Sequence, residues 1–342
     1  MPTAIRLPAE WEAQDAVLLA WPTAASDWAP ILPQIEQVFI ELIRQINRFE
    51  PVLLVAPDAA LVRQRLQAAG LDGPRLQLYE LPTNDTWARD FGPISVEIDG
   101  RVALYDFGFN GWGLKFAADQ DNQINRRLAA AGAWACDLQC QPLIFEGGSF
   151  ESDGAGTLLT TSTCLLSPNR NPHLSRPQLE TQLCQLFGLR QVLWLDHGYL
   201  AGDDTDAHID TLVRLCPDDT LVYVRCNDPA DEHYAALQAM EQQLASFRTL
   251  AGAPYRLRPL PWPAARFDEE GQRLPATYAN YLVLNGAVLV PTYDDPADGE
   301  ALAVMASAYP DRTIIGVNCL PVIWQHGSLH CLTMQLAKGT LA

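Results

Sequence analysis

Four separated segments carry residue types that could hydrolyse a bond at a cationic carbon: Trp87-Ala88-Arg89-Asp90, Glu146-Gly147-Gly148, His208-Ile209-Asp210 and His330-Cys331. A cysteine thiolate is a strong nucleophile, a histidine gives and takes protons near neutral pH, and paired carboxylates hold a cation. Two or three carboxylates buried opposite a nucleophilic cysteine are costly unless a positive partner joins them. A planar guanidinium meets carboxylates through forked, charge-assisted hydrogen bonds and fits that requirement. In the reaction these residue types allow, Cys331 attacks the central guanidinium carbon and His208 protonates the departing ammonia. The same histidine then activates water against the covalent adduct.

Each of these residues also has a purely structural reading. The chain has eight cysteines, and a buried cysteine is commonly a small apolar filler. Asp90 could pair with Arg89 or cap the turn before Gly92-Pro93, and Asp85 reads as a turn residue. Glu146 could be an exposed turn acid, although Gly147-Gly148 lets the backbone come close to a ligand. Asp203, Asp204 and Asp206 crowd around His208 and fit either a metal site or a solvated acidic loop, of which the loop is expected. His208 and Asp210 are two apart and precede the apolar Leu212-Val213, which predicts the end of a buried strand with both side chains on one face.

Composition narrows the surroundings. A chain of 342 residues with 48% hydrophobic and 19% charged content can bury a large core. Its formal charge of −18, from 23 basic against 41 acidic residues, argues against nucleic acid and would raise the encounter rate of a cation. No apolar run approaches the roughly 20 residues of a membrane span. Glu10-Trp11-Glu12 follows Met1-Pro2-Thr3-Ala4-Ile5-Arg6 where a signal peptide would have its apolar segment. A cytoplasmic protein with no membrane partner, reduced thiols and no structural metal is expected, because Cys136 and Cys140 lack partners at zinc-site spacing.

The elements that must bring the four segments together recur along the chain. Asp228-Pro229-Ala230-Asp231 repeats at Asp295-Pro296-Ala297-Asp298, each inside an order of strand, tight turn, strand, helix, strand. In the later copy, strands within Tyr281–Val290 flank the turn Asn285-Gly286, a helix covers Glu300–Tyr309, and a strand covers Arg312–Val317. The earlier copy has strands at Thr211–Leu215 and Thr220–Val224 around Pro217-Asp218-Asp219, a helix over His233–Phe247 and a strand near Tyr255–Leu257. Looser copies begin at Asp15–Trp21, at the Asp99-Gly100 turn and at the Asp153-Gly154 turn. Five units of about 60 to 70 residues predict one radially repeated α/β domain over 1–342, with the candidate residues near the strands that open successive units.

With those residues in view, the chain resembles the agmatine deiminase and bacterial peptidylarginine deiminase family over nearly its whole length. The resemblance rests on Trp21-Pro22, the run Asn84–Pro93 and Asn110-Gly111-Trp112-Gly113. It rests equally on Glu146-Gly147-Gly148, Leu159-Thr160-Thr161, the run Ser167–Pro172, His208-Ile209-Asp210 and His330-Cys331. It implies a five-bladed α/β propeller of the pentein type, built from ββαβ repeats around a central site. It further implies Cys331 as nucleophile, His208 as general acid and base, and Asp90 and Asp210 as guanidinium carboxylates. Glu146, Gly147 and Gly148 would support the substrate, Trp87 and Trp21 would lie near its aliphatic arm, and Arg170 would be structural.

The implied reaction is agmatine plus water to N-carbamoylputrescine plus ammonia, with neither metal nor organic cofactor and with room for a homo-oligomer. The same chemistry on free or peptide-terminal arginine, a metal-dependent hydrolase around His208, and a non-catalytic polyamine binder are the alternatives. Departures from the family pattern surround the hydrolytic set. His326-Gly327-Ser328 stands where Gly-Gly-Asn is usual, and Asp206-Ala207 where Asn-Gly is usual. Thr211 replaces an Asn, and Phe91 a smaller polar residue.

Overall fold

The computed structural model describes residues 3–342. The same local order appears five times: an antiparallel pair of strands, then a helix, then a strand parallel to the second of the pair. In the second unit Ile94–Ile98 pairs antiparallel with Arg101–Gly108, the short helix Ile124–Ala130 follows, and Leu138–Ile144 returns parallel. The third unit joins Phe150–Ser152, Thr157–Thr161, the helix Arg176–Phe187 and Gln191–Leu195 in the same way. The fourth uses Val213–Cys216, Thr220–Val224, Tyr234–Ser246 and Arg256–Leu260. The fifth uses Leu282–Leu284, Ala287–Thr292, Asp298–Ala308 and Thr313–Asn318.

The first unit is completed by the far end of the chain. Gln14–Ala20 runs parallel to Val52–Ala56 across the helix Leu32–Ile46, and its antiparallel partner is Met334–Ala337. The last strand therefore closes onto the first unit. A further helix, Ala59–Ala68, and the strand Leu76–Glu80 extend this sheet beyond the shared pattern. A two-stranded hairpin, Arg266–Phe267 with Arg273–Leu274, lies between the fourth and fifth units.

Local chemistry accounts for these elements. Thr220–Val224 and Val52–Ala56 are buried along their whole length, as expected for β-branched and aliphatic strands covered on both faces. Asp218 and Asp219 both adopt positive φ, the conformation of a tight primed hairpin turn, and Gly286 supplies the same freedom after Asn285. The helix Leu32–Ile46 buries Ile35, Phe39, Leu42, Ile43 and Ile46, a stripe at helical spacing. Arg176–Phe187 begins with a reciprocal capping box between Ser175 and Gln178 and ends at Gly188 in the left-handed region.

The repeated Asp-Pro-Ala-Asp words fold alike. Asp228 accepts from the Ala230 amide at 2.9 Å and Asp295 from the Ala297 amide at 2.9 Å, and in each copy the last aspartate amide returns to the first carbonyl. One expectation fails in detail. His208 and Asp210 are not in a strand: Ile209–Thr211 is a single 3-10 turn and the strand begins at Val213. Asp203 builds this turn's approach by accepting from the Thr205 and Ala207 amides, while Thr205 Oγ1 accepts from the His208 amide. Those side-chain bonds compete successfully with an extended ladder.

Candidate active site

A side chain of interest sits just before the opening strand of each of four units and before the strand that closes the first. Asp90 lies in the one-turn helix Ala88–Phe91, Gly147–Ser149 forms a 3-10 turn after Glu146, and His208 and Asp210 flank the turn before Val213. Asn280 precedes Leu282–Leu284, and Cys331 precedes Met334–Ala337. The structure brings these residues together, although they are spread over 241 positions from Asp90 to Cys331.

Their contacts are specific. Cys331 Sγ lies 3.3 Å from Asn280 Oδ1 and 3.9 Å from Asp210 Oδ2. Asn280 Oδ1 also accepts from the His330 and Cys331 amides at 2.9 and 3.2 Å, fixing the turn that carries the thiol. Asp90 accepts from the Trp112 indole at 2.8 Å on Oδ2 and from the Gly148 amide at 3.0 Å on Oδ1. His208 Nδ1 lies 3.6 Å from Asp90 Oδ1 and Nε2 3.8 Å from Glu146 Oε2, and neither ring nitrogen has a hydrogen-bond partner among the described residues. Asp210 Oδ2 is 2.7 Å from His330 Nδ1, while Oδ1 is unpaired.

Gly148 occupies the centre of this group. A Cβ there would stand 2.6 Å from His208 Nδ1, 2.9 Å from Asp90 Oδ1 and 3.0 Å from Asp210 Oδ2. Only glycine lets the three polar groups approach one point.

Burial sets the electrostatics. It pushes the Asp90 carboxyl up to about 6, with the Asp210 and Glu146 charges adding to the rise against His208 and Trp112. It also raises the Cys331 thiol well above its ordinary value, reinforced by Asp210 and Asp90, so the free enzyme holds a thiol. Burial would lower His208, but Asp90, Cys164 and Glu146 outweigh it and hold the imidazole well above its usual pKa. For Asp210 the burial cost is exceeded by His330, His208 and Arg214, and the carboxyl stays below its ordinary value. These surroundings hold His208 toward its cationic form and Cys331 toward its thiol, a pair suited to donating one proton and losing another.

Glu146 is buried behind His208 rather than on the cavity wall, and its carboxylate takes the Arg170 Nε at 2.8 and 3.0 Å. Arg170 also reaches Asp206 Oδ2 at 2.6 Å and the Thr205 carbonyl at 2.9 Å, which ties the His208 loop to Glu146. Asp206 is thus an ion-pair partner of Arg170 and Lys115 and not a freely solvated loop acid. Cys164 stands beside Glu146 and His208 as a buried thiol. The Arg170 guanidinium already neutralises Glu146 in this cluster.

A cavity of about 650 Å³ leads to Cys331 and Asp90, walled by Trp87, Trp112 and Phe116, with Asp27, Asp85, Asp204, Thr205, Gln325, His326 and Gly327. Trp87 lies on the cavity wall, its ring packed on Gly327 so closely that any Cβ there would collide. Trp21 does not: it is buried edge-on against Phe39 and is absent from the cavity wall. Asp85 has its turn role, accepting from the Thr86 amide and from the Trp28 and Trp87 indoles. Of the departures from the family pattern, Ser328 is buried against Tyr293, Phe91 packs near Phe109, and Thr211 bonds the His208 carbonyl. His326 alone of these substitutions reaches the cavity, at a φ of 64°.

Sequence reasoning missed Asn280. The signal was the repeat itself, since every other unit places a polar side chain just before its opening strand. It also missed Trp112 as the partner of Asp90.

Comparisons with known proteins agree with this architecture. The family model described as Porphyromonas-type peptidyl-arginine deiminase matches residues 6–337. The agmatine deiminase of Pseudomonas aeruginosa (strain LESB58) is 31% identical across 96% of this chain and 95% of its own length. An agmatine deiminase of C. jejuni, solved as a cysteine-to-serine variant with substrate bound, superposes with a TM-score of 0.92 at 39% identity, covering 98% of this chain and 97% of that one. A candidate arginine deiminase from Porphyromonas gingivalis superposes with a TM-score of 0.92 at 50% identity, covering 99% and 100%. Fold and relatives together define a hydrolase that deiminates guanidino groups, in a mixed α/β fold of the pentein superfamily. The chain belongs to the Porphyromonas-type peptidyl-arginine deiminase and agmatine deiminase family.

Proposed function

We propose that the protein hydrolyses agmatine to N-carbamoylputrescine and ammonia through a covalent adduct on Cys331, in one domain whose five units close radially as a propeller. The observation that carries the choice of agmatine is the cavity wall. Besides Asp90 it presents Asp27 and Asp204, and among the described residues it includes no Arg or Lys, so it favours a substrate whose far end is an ammonium over one ending in a carboxylate. Trp87, Trp112 and Phe116 supply apolar faces for the methylenes between the two cationic ends.

In this reading the guanidinium lies between Asp90 and the free Oδ1 of Asp210. Its charge offsets the two carboxylates that hold the Cys331 proton on, and the thiol gives that proton to solvent. The thiolate then forms a C–S bond to the guanidinium carbon, and the C–N bond to one terminal amino group breaks as His208 protonates it to ammonia. Neutral His208 next removes a proton from water, whose oxygen attacks the S-alkylthiouronium carbon. The C–S bond breaks, the urea carbonyl forms, and Cys331 leaves as thiolate with His208 again cationic. The adduct's hydroxyl proton, released as the carbonyl forms, returns Cys331 to its thiol, and the proton the thiol first gave to solvent converts the ammonia to ammonium, so the cycle balances.

A second reading keeps the chemistry and takes arginine. His326 favours it, because it places a basic side chain on the cavity wall where a carboxylate can be met, and the P. gingivalis relative is described as a candidate arginine deiminase.

The test is ammonia release from agmatine, arginine, arginine peptides and 4-guanidinobutyrate, beside Cys331→Ala and with and without a chelator. Agmatine turned over well ahead of 4-guanidinobutyrate, insensitive to chelation and lost in Cys331→Ala, is the expected result. Preference for arginine would replace the substrate, sensitivity to the chelator would replace the mechanism, and silence toward every guanidine would overturn the reading.

A further inference from the structure

Behind Asp210 lies a second group of charges that the proposed reaction does not use. Glu10, Arg89, Glu151, Arg214, His330 and Gln335 are drawn from five distant stretches of the chain. All except Glu10 have side chains at least nine-tenths buried, and Glu10 is 20% exposed. Every oxygen of Glu10 is used twice: Oε1 takes Arg89 at 3.0 Å and His330 Nε2 at 2.7 Å, and Oε2 takes Arg214 at 2.5 Å and Gln335 at 3.0 Å. Arg214 binds Glu151 at 2.5 Å and the carbonyls of Ala279 and Tyr281 at 3.0 and 2.8 Å, on either side of Asn280. Several buried ions are an expensive way to hold a core together, since apolar residues of the same volume would usually be as stable or more so.

The geometry points to His330 as a positioning residue: its Nδ1–H holds Asp210 Oδ2, the oxygen beside Gly148 and Cys331, and so fixes the carboxylate with its unpaired Oδ1 left for the guanidinium. The proton can be assigned from the partners. Ionised Asp210 only accepts, so the 2.7 Å contact requires a donor at Nδ1. Nε2 faces an acceptor, Glu10 Oε1, and a donor, Arg214 Nη2 at 3.0 Å. It therefore has a partner whether or not it carries a proton, and Nδ1 keeps its hydrogen in both states. The groups facing Asp210 are His330, His208, Arg214, Asp90 and the Cys331 thiol; those facing His330 are Asp210, Glu10, Arg214 and Arg89. Removing His330 takes away the largest influence that holds the Asp210 carboxyl low and leaves burial to raise it.

This inference rests on the guanidinium reading of Asp210, and its test separates the two. In the unaltered enzyme kcat/KM should fall as pH drops through about 6, where Asp90 takes up its proton. In His330→Leu, Asp210 becomes the last carboxylate to ionise, so the acid limb should move up by about one pH unit or more and KM at neutral pH should rise about tenfold. His330→Asn, which can place an amide N–H near the Nδ1 position, should restore the limb. A folded His330→Leu enzyme with an unmoved limb and KM would overturn the positioning role, whereas absence of guanidine turnover in the unaltered enzyme would overturn the underlying reading. Should His330→Leu fail to fold, ¹⁵N-histidine NMR of the unaltered enzyme decides: a protonated Nδ1 on His330 at pH 8 is required, and a bare one overturns the proposal.

Discussion

The two sides of Asp210 are built on opposite rules. On the Gly148 side, both ring nitrogens of His208 and one oxygen of Asp210 are buried with no partner among the described residues. Toward the interior, Glu10, Glu151, Arg214, His330 and Gln335 bind one another at nearly every polar atom, and only Arg89 Nε is left over. An unpaired buried polar group costs about 1–3 kcal/mol, so the front is a poor way to stabilise a fold and a good way to receive a ligand that supplies the missing donors and charge. The saturated back holds the unsatisfied front in shape. Stability and affinity are separated by the width of one carboxylate.

That contrast can be broken at its centre. Gly148→Ala would put a methyl group into the space shared by His208, Asp90 and Asp210, and kcat/KM should fall by roughly 10²-fold or more while the thermal melt stays cooperative. Unchanged kinetics in a folded variant would mean that the three groups do not act on a common point. A smaller effect belongs to the outer wall. Asp204 has a side chain 45% exposed, where a charge is screened, so Asp204→Asn should raise KM for agmatine by about two- to fivefold, or roughly 0.5–1 kcal/mol, with kcat unaltered. A large fall in kcat there would place Asp204 with the inner group and blur the division.

Much of this arrangement was legible in the sequence because its punctuation is strong. Asn285-Gly286, Asp218-Asp219 and the duplicated Asp-Pro-Ala-Asp turns each encode a local conformation, and the helices between them bury stripes that need no distant partner to be recognised. The closing strand Met334–Ala337 is short and gains its meaning only by pairing with Gln14–Ala20, more than three hundred positions away. The turn at His208 was read as a strand because nothing in Asp203-Asp204-Thr205 announces that Asp203 and Thr205 will cap it.

The site divides in the same way. Cys331, His208, Asp90 and Asp210 stood out by residue type, and the structure gathers them. Trp21, an aromatic that the family resemblance placed near the substrate arm, is core. Asn280 bears no charge and lies in Tyr278-Ala279-Asn280-Tyr281, where only the repeat could have marked it. Arg214 is the opposite case: an arginine inside the apolar run Leu212-Val213-Arg214-Leu215 had to be buried with a carboxylate, but the sequence does not say that Glu10 and Glu151 would provide them.

The central claim is that Cys331 carries the guanidine carbon through the reaction. Intact-protein mass spectrometry of the enzyme quenched during agmatine turnover tests it directly. The account predicts a species heavier by agmatine less ammonia, mapped by digestion to the peptide containing Cys331 and missing in Cys331→Ala. Turnover with no adduct at any quench time, or an adduct on Cys164 instead, would contradict it.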